Sequence, residues 1–275
     1  MSLLEKPTRI YQCENTIDGI FSAIYEAGIS GYGHKYIRIQ PLVEGEAVNL
    51  ELFSEYISVE TDSQKTEKVL KAIYEKISPR AYSEVMWAII SEEADRGDVI
   101  YQFITYGFTM GDKVCDALQI PAVKRIFAMR RKVANEAHFF REFLRFKEVR
   151  TNPSLLLAVI EPQNHILPML MKHFTDRFAE EWFIVYDKTH KEAAFHQRKG
   201  EWEIRLLTEE EAVQLEELNE QREDYVDLWK TFFDHIVIQE RINTDLQRNM
   251  LPLHYRKHMT EFVTVQSQAK FHKQT

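Results

Sequence analysis

The sequence predicts an α+β protein that is mainly helical, with a small N-terminal α/β unit and an antiparallel sheet meander in its C-terminal part. Three observations predict this class: strand patterns around one helix in the first sixty residues, helical apolar spacing through the middle, and three short strand patterns joined by polar links at 182–207. With 275 residues, the chain can bury a large core. We expect an α/β unit with a linking helix at 1–79, a helical and antiparallel-sheet core at 80–262, and a polar tail at 263–275.

The first unit is predicted from short apolar periods. Strand patterns occupy 8–12, 36–41 and 56–60, and residues 17–27 have the spacing of an amphipathic helix. The glycines of AGISGYGH suggest a phosphate loop only superficially, because no Lys-Ser/Thr pair follows them. We therefore expect a turn there.

Helices dominate the next stretch. Apolar residues recur at helical spacing in 65–77, 80–94 and 97–109, with a break at Ser78-Pro79 and a stop at Gly111. Cys115 has the surroundings of a small core residue.

A basic helix is predicted from Pro121 to Lys147. Its apolar residues fall on one face, and Lys124, Arg131, His138 and Arg145 recur every seven residues, with Arg141 close to His138. Nine Lys and Arg stand against three Glu between residues 124 and 150. The nucleic-acid-binding candidates are therefore Lys124, Arg131, Arg141 and Arg145. The alternative is that these cations pair with Glu142, Glu148 or other carboxylates.

The C-terminal part begins with a buried strand pattern at 154–161 and a helix at 165–178. Three strands at 182–186, 193–197 and 202–207 are then expected in one mainly antiparallel sheet, followed by helices at 209–219 and 222–240. Residues 209–227 hold nine Asp and Glu against one Arg, which accounts for the net charge of −8. This acidic run is typical of a solvated helix face.

Composition limits the function classes. No apolar run approaches the ~18 residues that cross a bilayer, and the N-terminus lacks a secretory signal, so a cytoplasmic protein without a membrane partner is expected. Two cysteines, Cys13 and Cys115, are too few for an iron–sulfur cluster. We expect no cofactor in this chain and no metal site.

No short motif assigns a reaction. Glu136 and His138 are two residues apart, so on a helix they point about 160° from each other. His254 and His258 have a spacing that can chelate zinc, but a basic surface pair is the simpler interpretation. A polar group at a helix end comprises Glu240, Arg241, Asn243 and Gln247, and it fits either a buried network or a substrate contact. His173, Arg177 and Asp187 can likewise cap a helix and a turn.

Three long stretches carry a family resemblance: VANEAHFFREFLRF, IEPQNHILPMLMKHFTDRF and LWKTFFDHIVIQERINTDLQRNMLPLHYRKHMTEF. From about Arg80 to Phe262 the chain resembles a bacterial family of uncharacterised proteins assigned to DNA metabolism, whose genes accompany a radical-SAM protein assigned to DNA modification or repair. A similar domain occurs fused behind uracil-DNA glycosylase domains. The resemblance implies a role in DNA repair by association, and the matched polar positions are Glu136, His138, Arg145, His173, Arg177, Glu240, Arg241, Asn243 and Gln247.

The leading hypothesis is therefore a nucleic-acid-binding accessory protein that acts with the radical-SAM enzyme on DNA. The first alternative is an enzyme acting on a DNA base or nucleotide, with catalytic candidates Glu136, His138, His173, Glu240 and Arg241. The second is a module that binds only protein through its acidic helix. Convergence of the catalytic candidates in one pocket would favour the enzyme.

Overall fold

The computed structural model describes residues 6–43, 51–149, 154–220 and Tyr255. The predicted mainly helical α+β class is confirmed. Contacts divide the chain into two compact units, Met1–Ala134 and Asn135–Thr275. The domain boundary drawn between residues 79 and 80 from the sequence stays a prediction. None of the helices in the described ranges combines the length and apolar character that a bilayer crossing requires.

The N-terminal unit is built on a parallel sheet. Strand β1 (Thr8–Glu14) lies at its centre, with β2 (Ile37–Leu42) on one side and β3 (Ser54–Ser58) on the other. Helix α1 (Ile17–Ile29) connects β1 to β2, as a parallel pair requires, and packs on both strands. Its start is fixed by the Thr16 hydroxyl, which accepts a hydrogen bond from the Gly19 amide at 3.0 Å.

Three further helices follow in this unit before α5. The predicted helix at 65–77 is present as α2 (Ser63–Ala72), which continues as a π-helical turn to Ile77. Ser78 then caps α3 (Pro79–Ile89) by accepting a hydrogen bond from the Ala81 amide. Helix α4 (Arg96–Met110) ends at Gly111, whose φ of 61° suits a residue without a Cβ.

Close packing between α4 and the π-helical turn gives a stability prediction. A Cβ added at Gly107 would lie 2.7 Å from the Ile77 Cδ1 atom, whereas one added at Gly28 of α1 would meet nothing within 4 Å. Gly107→Ala should therefore lower the free energy of unfolding by about 1–3 kcal/mol through overpacking. Gly28→Ala should raise it by about 0.5–1 kcal/mol, because Ala is the better helix former. Urea denaturation of both variants tests this, and equal effects would contradict it.

Helix α5 (Pro121–Phe143) is shorter than predicted. Its predicted core face is buried, from Ile126 to Phe140. The chain leaves the helix after Phe143, and Phe146 then packs edge-on against three aromatic rings, those of Phe174, Phe178 and Phe183. The following residues form a strand that the sequence did not predict, β4 (Lys147–Val149).

The C-terminal unit is built on one five-stranded sheet in the order β4-β5-β6-β7-β8. The strands after β4 are β5 (Leu155–Ile160), β6 (Phe183–Asp187), β7 (Glu192–His196) and β8 (Trp202–Leu206). The meander β6-β7-β8 is antiparallel, as predicted. The β5–β6 pair is parallel, because helix α6 (Leu167–Arg177) lies between them and returns the chain to the same end.

Helices cover this sheet. The last described helix, α7 (Glu209–Glu220), buries Ala212 and Leu215 in a cluster with Leu157, Tyr186 and Ala193. Phe183 is three residues from Tyr186, so it faces the opposite side of the sheet, where its ring joins the aromatic cluster that includes Phe174 of α6.

Candidate nucleic-acid interface

Cations on the first half of α5 fall into two groups. Three of them form ion pairs within the N-terminal unit: Arg125 with Asp95 and Glu93, Arg130 with Glu84, and Lys132 with Glu93, at 2.7–2.9 Å. Hydrogen bonds from Lys132 and Arg125 lower the pKa of Glu93, whereas burial raises the pKa of Glu84. The predicted phosphate contacts Lys124 and Arg131 are exposed, and neither forms an ion pair within the described ranges.

A cleft of about 520 Å³ opens beside these two cations. Its lining joins apolar side chains to basic ones: Leu118, Phe127, Ala128 and Ala134 with Lys124, Arg130 and Arg131. Leu118 is 57% exposed. A lining that combines an aromatic ring, other apolar surface and cations suits a ligand that presents both flat bases and phosphates.

The other predicted ridge positions lie in the C-terminal unit. His138 is exposed and its Nε2 lies 3.2 Å from an oxygen of Glu142. The Arg141 Nε donates to the Ala137 carbonyl at 3.2 Å, within its own helix. The prediction that Arg145 lies on the helical ridge is wrong, because α5 ends at Phe143. Arg145 lies in the link to β4, where its Nη1 is 3.4 Å from the carbonyls of Glu142 and Leu144.

Glu136 has structural partners. Its side chain is buried, and its carboxylate accepts hydrogen bonds from the Gln163 amide at 2.6 Å, the Asn164 amide at 3.0 Å and the Asn164 side chain at 2.5 Å. One carboxylate thus holds the turn between β5 and α6. It accepts hydrogen bonds from two backbone amides, of which that of Asn164 is buried.

His138 and His173, the other catalytic candidates in the described ranges, do not converge on Glu136. His173 is exposed on α6 with its ring 5.0 Å from that of Phe174, and the Arg177 guanidinium lies 5.6 Å from the Phe178 ring centroid. In the described part of the chain, no contact joins Glu136, His138 and His173. Four predicted positions lie outside the described residues: the catalytic candidates Glu240 and Arg241, and the motif positions Asn243 and Gln247.

Sequence reasoning missed a second cleft, of about 490 Å³, in the N-terminal unit. Residues before and within β2 and one face of α4 line it: His34, Lys35, Ile37, Arg38, Asp98, Tyr101, Gln102, Thr105 and Tyr106. The His34 Nδ1 lies 2.7 Å from the Tyr101 hydroxyl, and Asp98 Oδ1 accepts the Ile39 amide at 3.0 Å. Burial raises the pKa of Asp98 to about 6 and that of Tyr101 to about 12. The available signal was the recurrence of polar residues at 98, 101, 102 and 105 on a helix whose other faces are apolar.

Comparisons with known proteins give one family. A family model described as a domain of unknown function, DUF4130, matches residues 94–261. No curated protein matches this chain. A similar solved structure is the pGpG-specific phosphodiesterase PggH from Vibrio cholrae, with a TM-score of 0.32 and 9% sequence identity over 68% of this chain and 81% of that one. A score this low does not indicate a shared fold.

Proposed function

The chain belongs to the DUF4130 family of domains of unknown function, and from that premise we propose that it is a nucleic-acid-binding accessory protein for DNA repair or modification. Its partner in this proposal is a radical-SAM enzyme, which the resemblance of the sequence implies. The two cysteines of this chain are buried, and burial raises the pKa of Cys13 to about 12 and of Cys115 to about 11. An iron–sulfur cluster in such a complex would therefore be expected on the partner.

The supporting observation is the cleft beside Lys124 and Arg131. Neighbouring cations on α5 are engaged by carboxylates, while these two are exposed and line a mainly apolar cleft. They are seven positions apart on the helix, so they stand about 10 Å apart along its axis. That spacing lets them contact separate phosphates of one strand, since B-DNA advances about 3.4 Å per nucleotide.

Phe127 extends the proposal to the bases. Its ring is half-buried in the lining of the same cleft, between the two cations in sequence. Stacking of a base on an exposed aromatic ring contributes about 1–3 kcal/mol and requires an unpaired base. We therefore expect single-stranded or locally opened DNA to bind more tightly than intact duplex.

Salt dependence tests the phosphate contacts. If Lys124 and Arg131 each contact one phosphate, the Lys124→Ala/Arg131→Ala variant should flatten the log–log salt slope for duplex DNA by about 1.8. Fluorescence anisotropy across a salt series measures this. The matched control is Lys68→Ala/Lys71→Ala on α2, which removes the same charge from exposed positions of the same unit and should leave the slope unchanged.

Two results would remove this cleft from the mechanism. One is an absence of DNA binding at low salt, and the other is an equal change of slope in both double variants.

The stacking contact is tested by a further variant, Phe127→Leu, which keeps the apolar volume but removes the aromatic surface. It should weaken binding to a single strand by about tenfold, the equivalent of about 1.4 kcal/mol, with little effect on duplex.

The second cleft favours the enzyme alternative in one respect. It places a histidine, a tyrosine and a carboxyl group with a raised pKa in a space large enough for a small molecule. An enzyme that uses this cleft to act on nucleotides should bind nucleoside monophosphates there. Ligand-observed NMR with the four deoxynucleoside monophosphates tests this. Binding that persists unchanged in His34→Ala would exclude the second cleft as the nucleotide-binding site.

A further inference from the structure

Two histidine rings lie almost in contact in the C-terminal unit. His165 precedes α6, and His190 lies in the turn between β6 and β7. Their ring centroids are 3.9 Å apart with an angle of 31° between the ring planes, and ring nitrogens of the two lie within 4.8 Å of each other. Residues twenty-five apart in sequence are thus brought together by the fold, which explains why no spacing motif predicts the pair.

Each ring has a carboxylate at its Nδ1 atom. The His190 Nδ1 lies 2.6 Å from Asp187 Oδ2, and the His165 Nδ1 lies 3.3 Å from Glu192 Oε1. A carboxylate that accepts the Nδ1 proton leaves Nε2 as the nitrogen with a lone pair. Histidines that bind metal ions almost always donate their other ring nitrogen in this way, which orients the ring and raises its basicity.

The burial of Asp187 is a second, independent observation. Its side chain is fully buried, and its Oδ1 accepts the amides of Thr189 and His190 at 2.9 and 3.1 Å. Within the described ranges no lysine or arginine forms an ion pair with this carboxylate. A buried negative charge without a cation is costly. A metal ion on the His190 ring would place positive charge next to it.

We propose that His165 and His190 bind a divalent transition-metal ion of the zinc class through their Nε2 atoms, supported by Glu192 and Asp187. Zinc–nitrogen bonds of about 2.0–2.1 Å place two ligating nitrogens at most about 4.2 Å apart. The ring nitrogens lie within 4.8 Å of each other, so a small rotation of the His165 side chain, which is 30% exposed, can bring them within this limit. Water or further ligands complete the coordination. Imidazole ligands suit zinc, nickel and copper ions, whereas calcium and magnesium ions prefer oxygen.

Calorimetric titration of the chelator-treated full-length chain with zinc chloride tests the site. We expect saturable binding of one ion per chain, loss of that binding in His190→Ala, and about tenfold to hundredfold weaker binding in Glu192→Gln, which removes only a supporting carboxylate. Titration with cobalt(II) should give a visible absorption spectrum characteristic of nitrogen coordination. Circular dichroism confirms that the variants are folded.

The matched control is His258→Ala, because His254 and His258 have the other zinc-compatible spacing in this chain. It should leave the affinity unchanged. The proposal is overturned if the native chain shows no saturable zinc binding, or if His190→Ala binds as the native chain does. It is also overturned if binding is lost in His258→Ala and kept in His190→Ala. Should His190→Ala fail to fold, unchanged affinity in Glu192→Gln and His165→Ala would overturn it equally.

Discussion

Replacing Glu136 by Ala is expected to lower the free energy of unfolding by about 3–5 kcal/mol. The carboxylate is buried and accepts three hydrogen bonds from Gln163 and Asn164, and a hydrogen bond to a charged group contributes about 1.5–3 kcal/mol. The variant leaves backbone donors without that acceptor and creates a cavity in the same step. Urea denaturation followed by circular dichroism measures the loss.

Two further variants show whether this loss comes from the turn. Glu142 lies on the same helix, but its side chain is 49% exposed and, among the described residues, pairs with the exposed His138. The effect of Glu142→Ala should therefore stay within about 0.5 kcal/mol. Glu136→Gln keeps the volume and one acceptor oxygen and should lie between the two. If Glu136→Ala were as stable as Glu142→Ala, the Glu136 carboxylate would have no structural role. That result would favour a catalytic role for Glu136.

Local patterns predicted most elements of the fold. Apolar spacing placed α1, α4 and the meander β6-β7-β8 within a few residues, because a helix period or a hairpin with a short link is encoded by neighbouring residues. Strand β4 was missed for the opposite reason. Three residues have no period of their own, and their strand character comes from pairing with β5. The parallel β5–β6 pair also depends on tertiary contacts, through the crossover of α6.

The candidate interface was only partly predictable, since charge partners come from distant parts of the chain. The spacing of Lys124 and Arg131 was visible in the sequence, but the carboxylates that engage Arg125, Arg130 and Lys132 lie 30 to 46 residues earlier. Sequence therefore gives the number of cations on α5, while the fold decides which of them are available to phosphate. The His165–His190 pair and the second cleft have the same origin: each joins residues from separate elements.

The contribution of Asp98 to folding stability should fall as the pH rises from about 4 to 7.5. Burial raises the pKa of its carboxyl group from an ordinary 3.8 to about 6, although the Ile39 amide and Arg38 act in the opposite direction. Because the folded state holds this proton more tightly than the unfolded chain, the stabilisation is complete below pH 3.8 and is lost as the pH rises through 6. Each pKa unit corresponds to about 1.4 kcal/mol, so about 2–3 kcal/mol is at stake.

Asp98→Asn is the variant that isolates this effect. Its amide oxygen can still accept the Ile39 amide, but it carries no charge in the cleft. We expect it to match the native chain at pH 4 and to be more stable by about 2 kcal/mol at pH 7.5, measured by urea denaturation at each pH. Asp112→Asn, an exposed carboxylate of the same unit, should give a profile parallel to the native one. The contrary result is a stability difference between Asp98→Asn and the native chain that is the same at pH 4 and pH 7.5. Ionisation of Asp98 would then cost little free energy, and the second cleft would be too well hydrated to shift the pKa of an acid or a base.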